Sequence, residues 1–326
     1  MSKEKLLDLL RQRQGSYVSG NELGSVLGVS RAAVWKMIQS LRAQGYQIES
    51  RTNKGYFLSQ GSHKILPEEI ERYLDTKQLG RPLCLLETVD STNAQLRRRA
   101  AGGAKEGLAL VALRQTQGRG RHGRVFSSPD GGIYLSVLIR PDISLQDLTL
   151  ITLAGAVSVA QAVEELLQIR PGIKWVNDLF LCGKKLCGIL TEASMEAESG
   201  RVDHVVVGIG LNVDEAPELD GPVKSCALSQ HTDREINKNE LIARILGNLE
   251  QHLFQIAEGE REPLLQAYRS RLILLGHDIT FERHGKPCRA HVLDLDENGG
   301  LVVRLTDQTV RTLRSGEVSI CTQTVD

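Results

Sequence analysis

The sequence has no uninterrupted apolar run of about eighteen residues, the length that a helix needs to cross a bilayer. Residues 1–5 (MSKEK) also lack the apolar core of a signal peptide. Six cysteines are present, but none forms a Cys-X-X-Cys pair, so neither a zinc site nor a disulfide framework is indicated. We therefore expect a cytoplasmic protein with reduced thiols and no membrane partner.

The length of 326 residues predicts two or three domains, and a charged fraction of 25% is typical of a soluble globular protein. The net charge is zero, but it is unevenly distributed. Residues 1–64 hold ten lysines and arginines against four acidic residues, and the rest of the chain carries the opposite excess. A basic N-terminal module on an acidic body suggests contact with nucleic acid.

The N-terminal module has the pattern of a helix-turn-helix. Ser19 is followed three residues later by Glu22, which predicts a capping box, and Gly28 ends the short helix that follows. Ser30 is a suitable N-cap for the next helix. One face of that helix is apolar and consists of Val34, Met37, Ile38 and Leu41.

The other face of this second helix and a basic turn after it are the candidate DNA-binding surface. Strands at 46–50 and 56–58 around that turn predict a wing, which gives a winged helix-turn-helix domain over residues 1–62. A domain that only packs against protein remains the alternative. The polar residues 59–63 are the expected linker. The candidate DNA-binding residues are Ser30, Arg31, Ala32, Trp35, Lys36 and Lys54.

Residues 63–273 mix strands and helices in an order that favours a mixed sheet over a strict βαβ repeat. Strands are predicted at 83–89, 108–113, 133–139, 173–176, 179–182, 185–191 and 205–211, and an alanine-rich helix at 150–167. Gly183-Lys184 predicts a tight hairpin. The acidic segment 294–298 ends in Gly299-Gly300, which favours another hairpin turn over a calcium loop.

Residues 114–124 contain four arginines, three glycines and no acidic residue. Glycines allow main-chain N–H groups to face an anion, and arginines add forked donors suited to carboxylates and phosphates. We expect this loop to be mobile until a polyanionic ligand orders it. A solvated basic loop is the alternative, and the segment lacks the Gly-Lys-Ser/Thr ending of a Walker loop.

Five motifs occur in a characteristic order: DSTN at 90–93, GRGRHG at 118–123, KWVND at 174–178, GKKLCGIL at 183–190 and GIGLN at 208–212. With the helix-turn-helix, this arrangement resembles the biotin protein ligase family in its bifunctional bacterial form, the biotin operon repressors. The resemblance implies an α+β multidomain fold: a winged helix-turn-helix, a central mixed α/β ligase domain at 63–273, and an SH3-like β domain at 274–326.

The resemblance also implies residue roles. Lys185 and Arg121 are the implied catalytic residues, and Asp178 is a candidate contact for Mg²⁺. The implied biotin-binding residues are Ser91, Thr92, Asn93, Gln115, Arg119, Gly120, Arg121 and Lys185. The implied ATP and adenylate contacts are Arg119, Arg121, Phe126, Asn177 and Asn212. Three positions depart from the family pattern, where Val176 replaces a proline, Phe126 a tryptophan and Cys187 a small apolar residue.

The implied activity is ATP-dependent ligation of biotin, through biotinyl-5'-AMP, to a lysine of the biotin carboxyl carrier protein of acetyl-CoA carboxylase. The implied second activity is biotin-responsive repression at operator DNA by a ligand-promoted homodimer. Three alternatives stay open: a DNA-binding regulator without ligase turnover, a ligase whose winged helix only packs, and a related lipoate ligase.

Overall fold

The computed structural model describes residues 2–13, 16–43, 45–58, 64–144, 147–196, 201–218, 223–283, 286–314, 316 and 318–320. The chain forms two compact units. The first comprises residues 1–66 and 234–239, and the second comprises residues 67–233 and 240–326. The linker predicted at 59–63 lies outside the described residues.

The N-terminal unit is a winged helix-turn-helix, as predicted. Its elements are α1 (Ser2–Gln12), α2 (Gly20–Leu27), α3 (Arg31–Ala43), β1 (Ile48–Arg51) and β2 (Gly55–Leu58). The Ser19 hydroxyl accepts a hydrogen bond from the Glu22 amide at 3.1 Å, and Gly28 ends α2 in the left-handed region. Ser30 caps α3 by accepting from the Ala33 amide at 3.2 Å. The predicted apolar face of α3 is buried against α1 and α2.

The second unit is built on a seven-stranded mixed sheet in the order β3-β4-β5-β9-β8-β7-β6. Only β3 and β4 are parallel; all the other pairs are antiparallel. The strands are β3 (Leu83–Val89), β4 (Ala109–Gln115), β5 (Ile133–Ile139), β6 (Gly172–Lys174), β7 (Asp178–Leu181), β8 (Lys184–Met195) and β9 (Val202–Leu211). The helices are α4 (Pro67–Tyr73), α5 (Thr92–Ala101), α6 (Leu148–Leu167), α7 (Lys238–Ala257) and α8 (Glu262–Arg269).

All seven predicted strands are present, with shifts at their ends. The predicted Gly183-Lys184 turn is displaced by one residue: Cys182 and Gly183 have positive φ angles of 48° and 73°, and Lys184 already belongs to β8. Helices α7 and α8 were not predicted, nor was α5, because the sequence motif at its start shows only a cluster of short polar side chains. Those side chains lie in its cap and first turn.

Helix α6 supplies the core that covers the sheet. Its length and composition would allow it to cross a bilayer, but 72% of its apolar window is buried inside the domain. Gly155 faces Ile189 and Val207, where an added methyl group would lie 3.1 Å and 3.4 Å from their side chains. The helix therefore packs closely on β8 and β9.

The C-terminal strands form a separate antiparallel sheet, in agreement with the predicted SH3-like domain. Strands β10 (Asp278–Arg283), β11 (Lys286–Leu295), β12 (Leu301–Leu305), β13 (Val310–Leu313) and β14 (Val318–Ile320) follow the order β13-β12-β11-β10-β14. The β11–β12 connection is a hairpin turn, as predicted, in which Asp296 accepts from the amides of Asn298 and Gly300. The indole of Trp175 donates to Gly299 O at 2.9 Å, which ties this turn to the central domain.

Two helical glycines provide a matched test of the packing in the helix-turn-helix. A methyl group on Gly24 would lie 2.7 Å from the Val29 carbonyl oxygen, whereas one on Gly247 meets nothing within 4 Å. We expect Gly24→Ala to lower the free energy of unfolding by about 1–3 kcal/mol. Gly247→Ala should raise it by about 0.5–1 kcal/mol through helix propensity. Calorimetry measures the free energy of unfolding of both variants. Equal changes in the two variants would contradict the close contact between Gly24 and the Val29 carbonyl.

Candidate active site

A buried polar pocket lies where the two parallel strands end. Strands β3 and β4 run side by side with Val89 opposite Gln115, so the polar residues after β3 meet the end of β4. Ser91 caps α5 and accepts from the Ala94 amide. The Thr92 amide donates to Gln115 Oε1 at 2.8 Å, and Gln115 Nε2 donates to Ser128 Oγ at 2.9 Å. The structure thus brings together Ser91, Thr92 and Gln115, three of the eight residues that the resemblance implied for biotin binding.

Three further residues of this pocket were missed by sequence reasoning. Ser136 Oγ, on β5, lies 2.6 Å from both Thr92 Oγ1 and Asn93 Oδ1. Asn93 Nδ2 donates to Glu192 Oε2 at 2.8 Å and to a main-chain carbonyl of β8. Ser136 was open to detection, since it is the one serine in the otherwise apolar and aromatic run 133–139. Ser128 and Glu192 carry no such signal.

The Gly208-Ile209-Gly210 segment of β9 forms the floor of the pocket. A methyl group on Gly208 would lie 2.1 Å from Asn93 Oδ1, and one on Gly210 would lie 2.4 Å from the Phe126 ring. The two glycines are therefore required for close approach of Asn93 and Phe126 to the strand. Phe126 also packs edge-on against Tyr134 at a centroid distance of 6.5 Å.

The loop at residues 114–124, which is rich in arginine and glycine, lies beside this floor. The Gly120 amide donates to Arg124 O at 2.7 Å, and Arg119 forms an isolated bridge with Val125. Arg121 Nη1 donates to Asn177 Oδ1 at 3.3 Å. The segment therefore presents Arg121 toward the β6–β7 turn.

Lys185 and Asp178 form an ion pair at 2.7 Å, and about a quarter of each side chain is exposed. Asn177 Nδ2 donates to Asp178 Oδ1 at 3.1 Å and to Ile189 O at 2.9 Å. Through Asn177 the ion pair is linked to Arg121. The cluster holds two cations and a single carboxylate, so it is suited to an anionic ligand.

Two buried groups next to this cluster are neutral. Burial raises the pKa of the Tyr268 phenol well above its usual value, and the nearby Asp178 carboxylate raises it further, while Arg121 lowers it. The Tyr268 hydroxyl donates to Val176 O at 3.1 Å, a contact that sequence reasoning missed. Burial likewise raises the pKa of the Cys187 thiol. Cys187 therefore packs as an apolar residue, as expected from its position in an apolar run.

Asn212 follows β9 and is almost fully buried. Its Nδ2 donates to Cys226 O at 3.0 Å, but its Oδ1 is buried without a partner among the residues that the structure describes. A buried acceptor without a donor is costly, so this oxygen is a candidate partner for a ligand N–H group.

The candidate metal contact does not have the surroundings of a preformed metal site. Within the part of the chain that the structure describes, no three His, Cys, Asp or Glu side chains converge. The carboxylate of Asp178 is instead paired with an ammonium group. A single carboxylate of this kind does not by itself hold Mg²⁺.

The candidate DNA-binding residues lie together on the surface of the N-terminal unit. Arg31, Ala32 and Lys36 are exposed on α3, and the Trp35 side chain is 53% exposed. Ser30 is exposed at the N-cap of the same helix, and Lys54 is exposed in the turn between β1 and β2. This places all six on the outer side of α3 or on the wing.

Comparison with known proteins finds related chains over the whole length. Residues 85–212 match the biotin/lipoate A/B protein ligase family, and residues 2–57 match an HTH domain family. The bifunctional ligase/repressor BirA of Bacillus subtilis is 34% identical over 98% of both chains. The Escherichia coli protein of the same name is 29% identical over 97% of this chain and 96% of its own.

A solved structure has the same fold in the second unit. The biotin protein ligase from Aquifex aeolicus in complex with biotin and ATP matches with a TM-score of 0.64 and 29% identity. The match covers 75% of this chain and 99% of that chain.

The floor of the pocket allows a direct test. A methyl group in Gly208→Ala meets the amide of Asn93, which is fixed by hydrogen bonds on both sides, so we expect a loss of about 1–3 kcal/mol of unfolding free energy. The control is Gly188→Ala, where the nearest atom is 3.3 Å away on the edge of the Phe126 ring. Chemical denaturation measures both variants. A smaller loss in Gly208→Ala than in Gly188→Ala would contradict the close approach.

Proposed function

Because this chain belongs to the family of bifunctional biotin ligases and repressors, we propose that its buried polar pocket holds the head group of biotin and that the adjacent cationic cluster holds the reacting phosphate. The chain is a biotin ligase with a DNA-binding repressor domain. The proposal concerns which of its residues perform each task. We divide the chain into a DNA-binding domain at 1–62, a ligase domain at 63–273 and an SH3-like domain at 274–326.

The chemistry of the pocket matches a ureido ring, which presents one carbonyl and two N–H groups. Ser91, Thr92, Asn93 and Gln115 supply hydroxyl and amide groups, and Ser91, Thr92 and Asn93 are nearly fully buried. Buried hydroxyls and amides hold such a ring by complementary donors and acceptors. This hydrogen-bonded pocket beside the Lys185 cluster is the observation that carries the proposal.

The cationic side chains are proposed to bind the biotin carboxylate and the phosphates of ATP. Lys185 approaches the carboxylate and the α-phosphate once it leaves Asp178. Arg119, Gly120 and Arg121 close over the ligand. We expect the loop at residues 114–124 to become ordered when the ligand binds. Asn212 Oδ1 accepts from the adenine ring, and Phe126 and Asn177 line the same side.

The proposed reaction proceeds in two steps. The biotin carboxylate attacks the α-phosphate of ATP, which forms biotinyl-5'-AMP and releases pyrophosphate. The ε-amine of the carrier lysine then attacks the acyl carbon, which forms the amide and releases AMP. Neither step needs a covalent enzyme nucleophile, so positioning and cationic stabilisation by Lys185 and Arg121 account for catalysis.

We propose that Mg²⁺ enters with ATP, with its phosphates as the main ligands, because the described residues offer no preformed cage. Asp178 is the proposed protein contact for such an ion. We further propose a cytoplasmic protein, whose five cysteines within the described residues are free thiols. Its proposed partners are the biotin carboxyl carrier protein, operator DNA and a second copy of the chain in a ligand-promoted homodimer.

One mixing experiment tests the ligase assignment. Labelled biotin, ATP and the carrier domain of acetyl-CoA carboxylase are incubated with the protein, and label on the carrier lysine is expected. Binding of biotin without transfer would identify a regulator without turnover. Transfer of lipoate in preference to biotin would identify a lipoate ligase.

The role of Lys185 is tested by Lys185→Ala. We expect adenylate formation, measured as pyrophosphate release, to fall by about 10²–10³-fold, since a well-aimed donor to the phosphoryl group is lost. Lys184→Ala removes the same charge from the neighbouring exposed residue and should leave the rate near that of the wild type. Equal rates for the two variants would remove Lys185 from the proposed mechanism.

The DNA-binding role of the wing is tested by Lys54→Ala. We expect weaker operator binding and a less steep slope of log affinity against log salt, by about 0.9 per protomer, because each protomer loses one phosphate contact. Lys5→Ala, on the exposed side of α1, is the control for charge alone. Titrations at several salt concentrations with biotin and ATP present provide the slopes. A winged helix that only packs would show no salt-dependent operator binding in any variant.

A further inference from the structure

Glu192, on β8, contacts both a buried residue of the pocket and an arginine on helix α5. Its Oε2 accepts from Asn93 Nδ2 at 2.8 Å, and its Oε1 pairs with Arg97 Nη1 at 3.0 Å. Arg97 lies four residues after Asn93 on α5, so both side chains lie on one face of that helix. One carboxylate therefore connects an arginine at the rim of the domain with the buried Asn93 amide.

The Asn93 amide has one allowed orientation in these surroundings. Its two N–H groups face the Leu190 carbonyl and the Glu192 carboxylate, which can only accept hydrogen bonds. Its Oδ1 is then directed at Ser136 Oγ, 2.6 Å away. Asn93 Oδ1 lies directly against Gly208, where an added methyl group would clash with it.

The orientation of Asn93 determines where the hydroxyl hydrogens point. Ser136 Oγ lies 2.6 Å from both Asn93 Oδ1 and Thr92 Oγ1, and its one hydrogen serves one oxygen at a time. Since Asn93 Oδ1 can only accept, the Ser136 hydrogen goes to it. Thr92 Oγ1 then donates its own hydrogen to Ser136 Oγ at 2.6 Å, a shorter contact than the 3.1 Å to Gln115 Oε1, and keeps lone pairs for a ligand N–H group.

We infer that Glu192 is a positioning residue of the biotin pocket: held by Arg97, it orients the Asn93 amide and, through Ser136, makes Thr92 an acceptor for a ureido N–H group. The inference rests on the proposed location of the biotin head group. Neither Glu192 nor Arg97 touches the substrate in this account. They set the direction of the hydrogen bonds that run from Glu192 through Asn93 and Ser136 to Thr92, which contacts the substrate.

The test uses the full-length protein and begins with Glu192→Gln. A glutamine has one acceptor where glutamate has two, so either Asn93 or Arg97 loses its partner. We expect the KM for biotin to rise about tenfold, the effect of one misdirected buried hydrogen bond, with little change in the KM for ATP or in kcat. The double variant Glu192→Gln/Arg97→Gln removes the competition for that single acceptor and should restore most of the biotin affinity.

Asp203→Asn is the matched control. Asp203, near the start of β9, pairs with Arg140 and with His204, each at 2.6 Å, and the change replaces a carboxylate by an amide away from the pocket. Its KM for biotin should equal that of the wild type. Should Glu192→Gln fold poorly, Ser136→Ala interrupts the same chain at its centre and should show the same selective rise.

The outcomes separate the inference from the function on which it rests. If Thr92→Val does not change the KM for biotin, the proposed pocket is wrong. If Thr92→Val raises that KM but Glu192→Gln and Ser136→Ala do not, only the positioning role is overturned. The positioning role is also overturned if Glu192→Gln raises the KM for biotin and the KM for ATP equally and Arg97→Gln does not rescue it. Such a result would indicate general damage to the fold. A selective rise in the KM for biotin, with rescue, supports it.

Discussion

The parallel pairing of β3 and β4 is the constraint on which the rest of the site depends. In a sheet that is otherwise antiparallel, it brings two carboxyl strand ends together, and each ends in polar residues. Buried polar groups need partners, since an unpaired one costs about 1–3 kcal/mol. Ser136 from β5 and Glu192 from β8 provide those partners, so the pocket is a closed hydrogen-bond network before any ligand enters.

The cationic half of the site is organised differently. Lys185 is paired with Asp178, so under the proposed function an anionic ligand would exchange one ion pair for another. Such an exchange limits the cost of removing the lysine from water, because its charge is compensated in both states. A ligand with a carboxylate alone competes with Asp178 on equal terms, whereas a phosphate with more charge and more oxygens has the advantage.

Most of the fold could be predicted from the sequence, because apolar periodicity and turn residues mark the strands and the helix-turn-helix directly. Helix α5 could not, since its first turn consists of Thr92 and Asn93, which are typical of caps and loops and are helical here only through the Ser91 cap and tertiary contacts. In the site, Gln115 and Lys185 were implied by the family resemblance. Glu192 and Ser128 stayed hidden because their roles arise from neighbours far apart along the chain.

The link between Trp175 and Gly299 has a consequence for the C-terminal sheet. Trp175 stands two residues before Asn177, and its indole is held by a carbonyl of the β11–β12 turn. Tyr268, which precedes that sheet in the chain, donates a hydrogen bond to the main-chain carbonyl of Val176, the residue after Trp175. The short segment that carries Asn177 and Asp178 is thus braced from outside the ligase sheet. A chain truncated before residue 274 would leave the indole without its acceptor, so the small sheet supports the turn that carries Asn177 and Asp178.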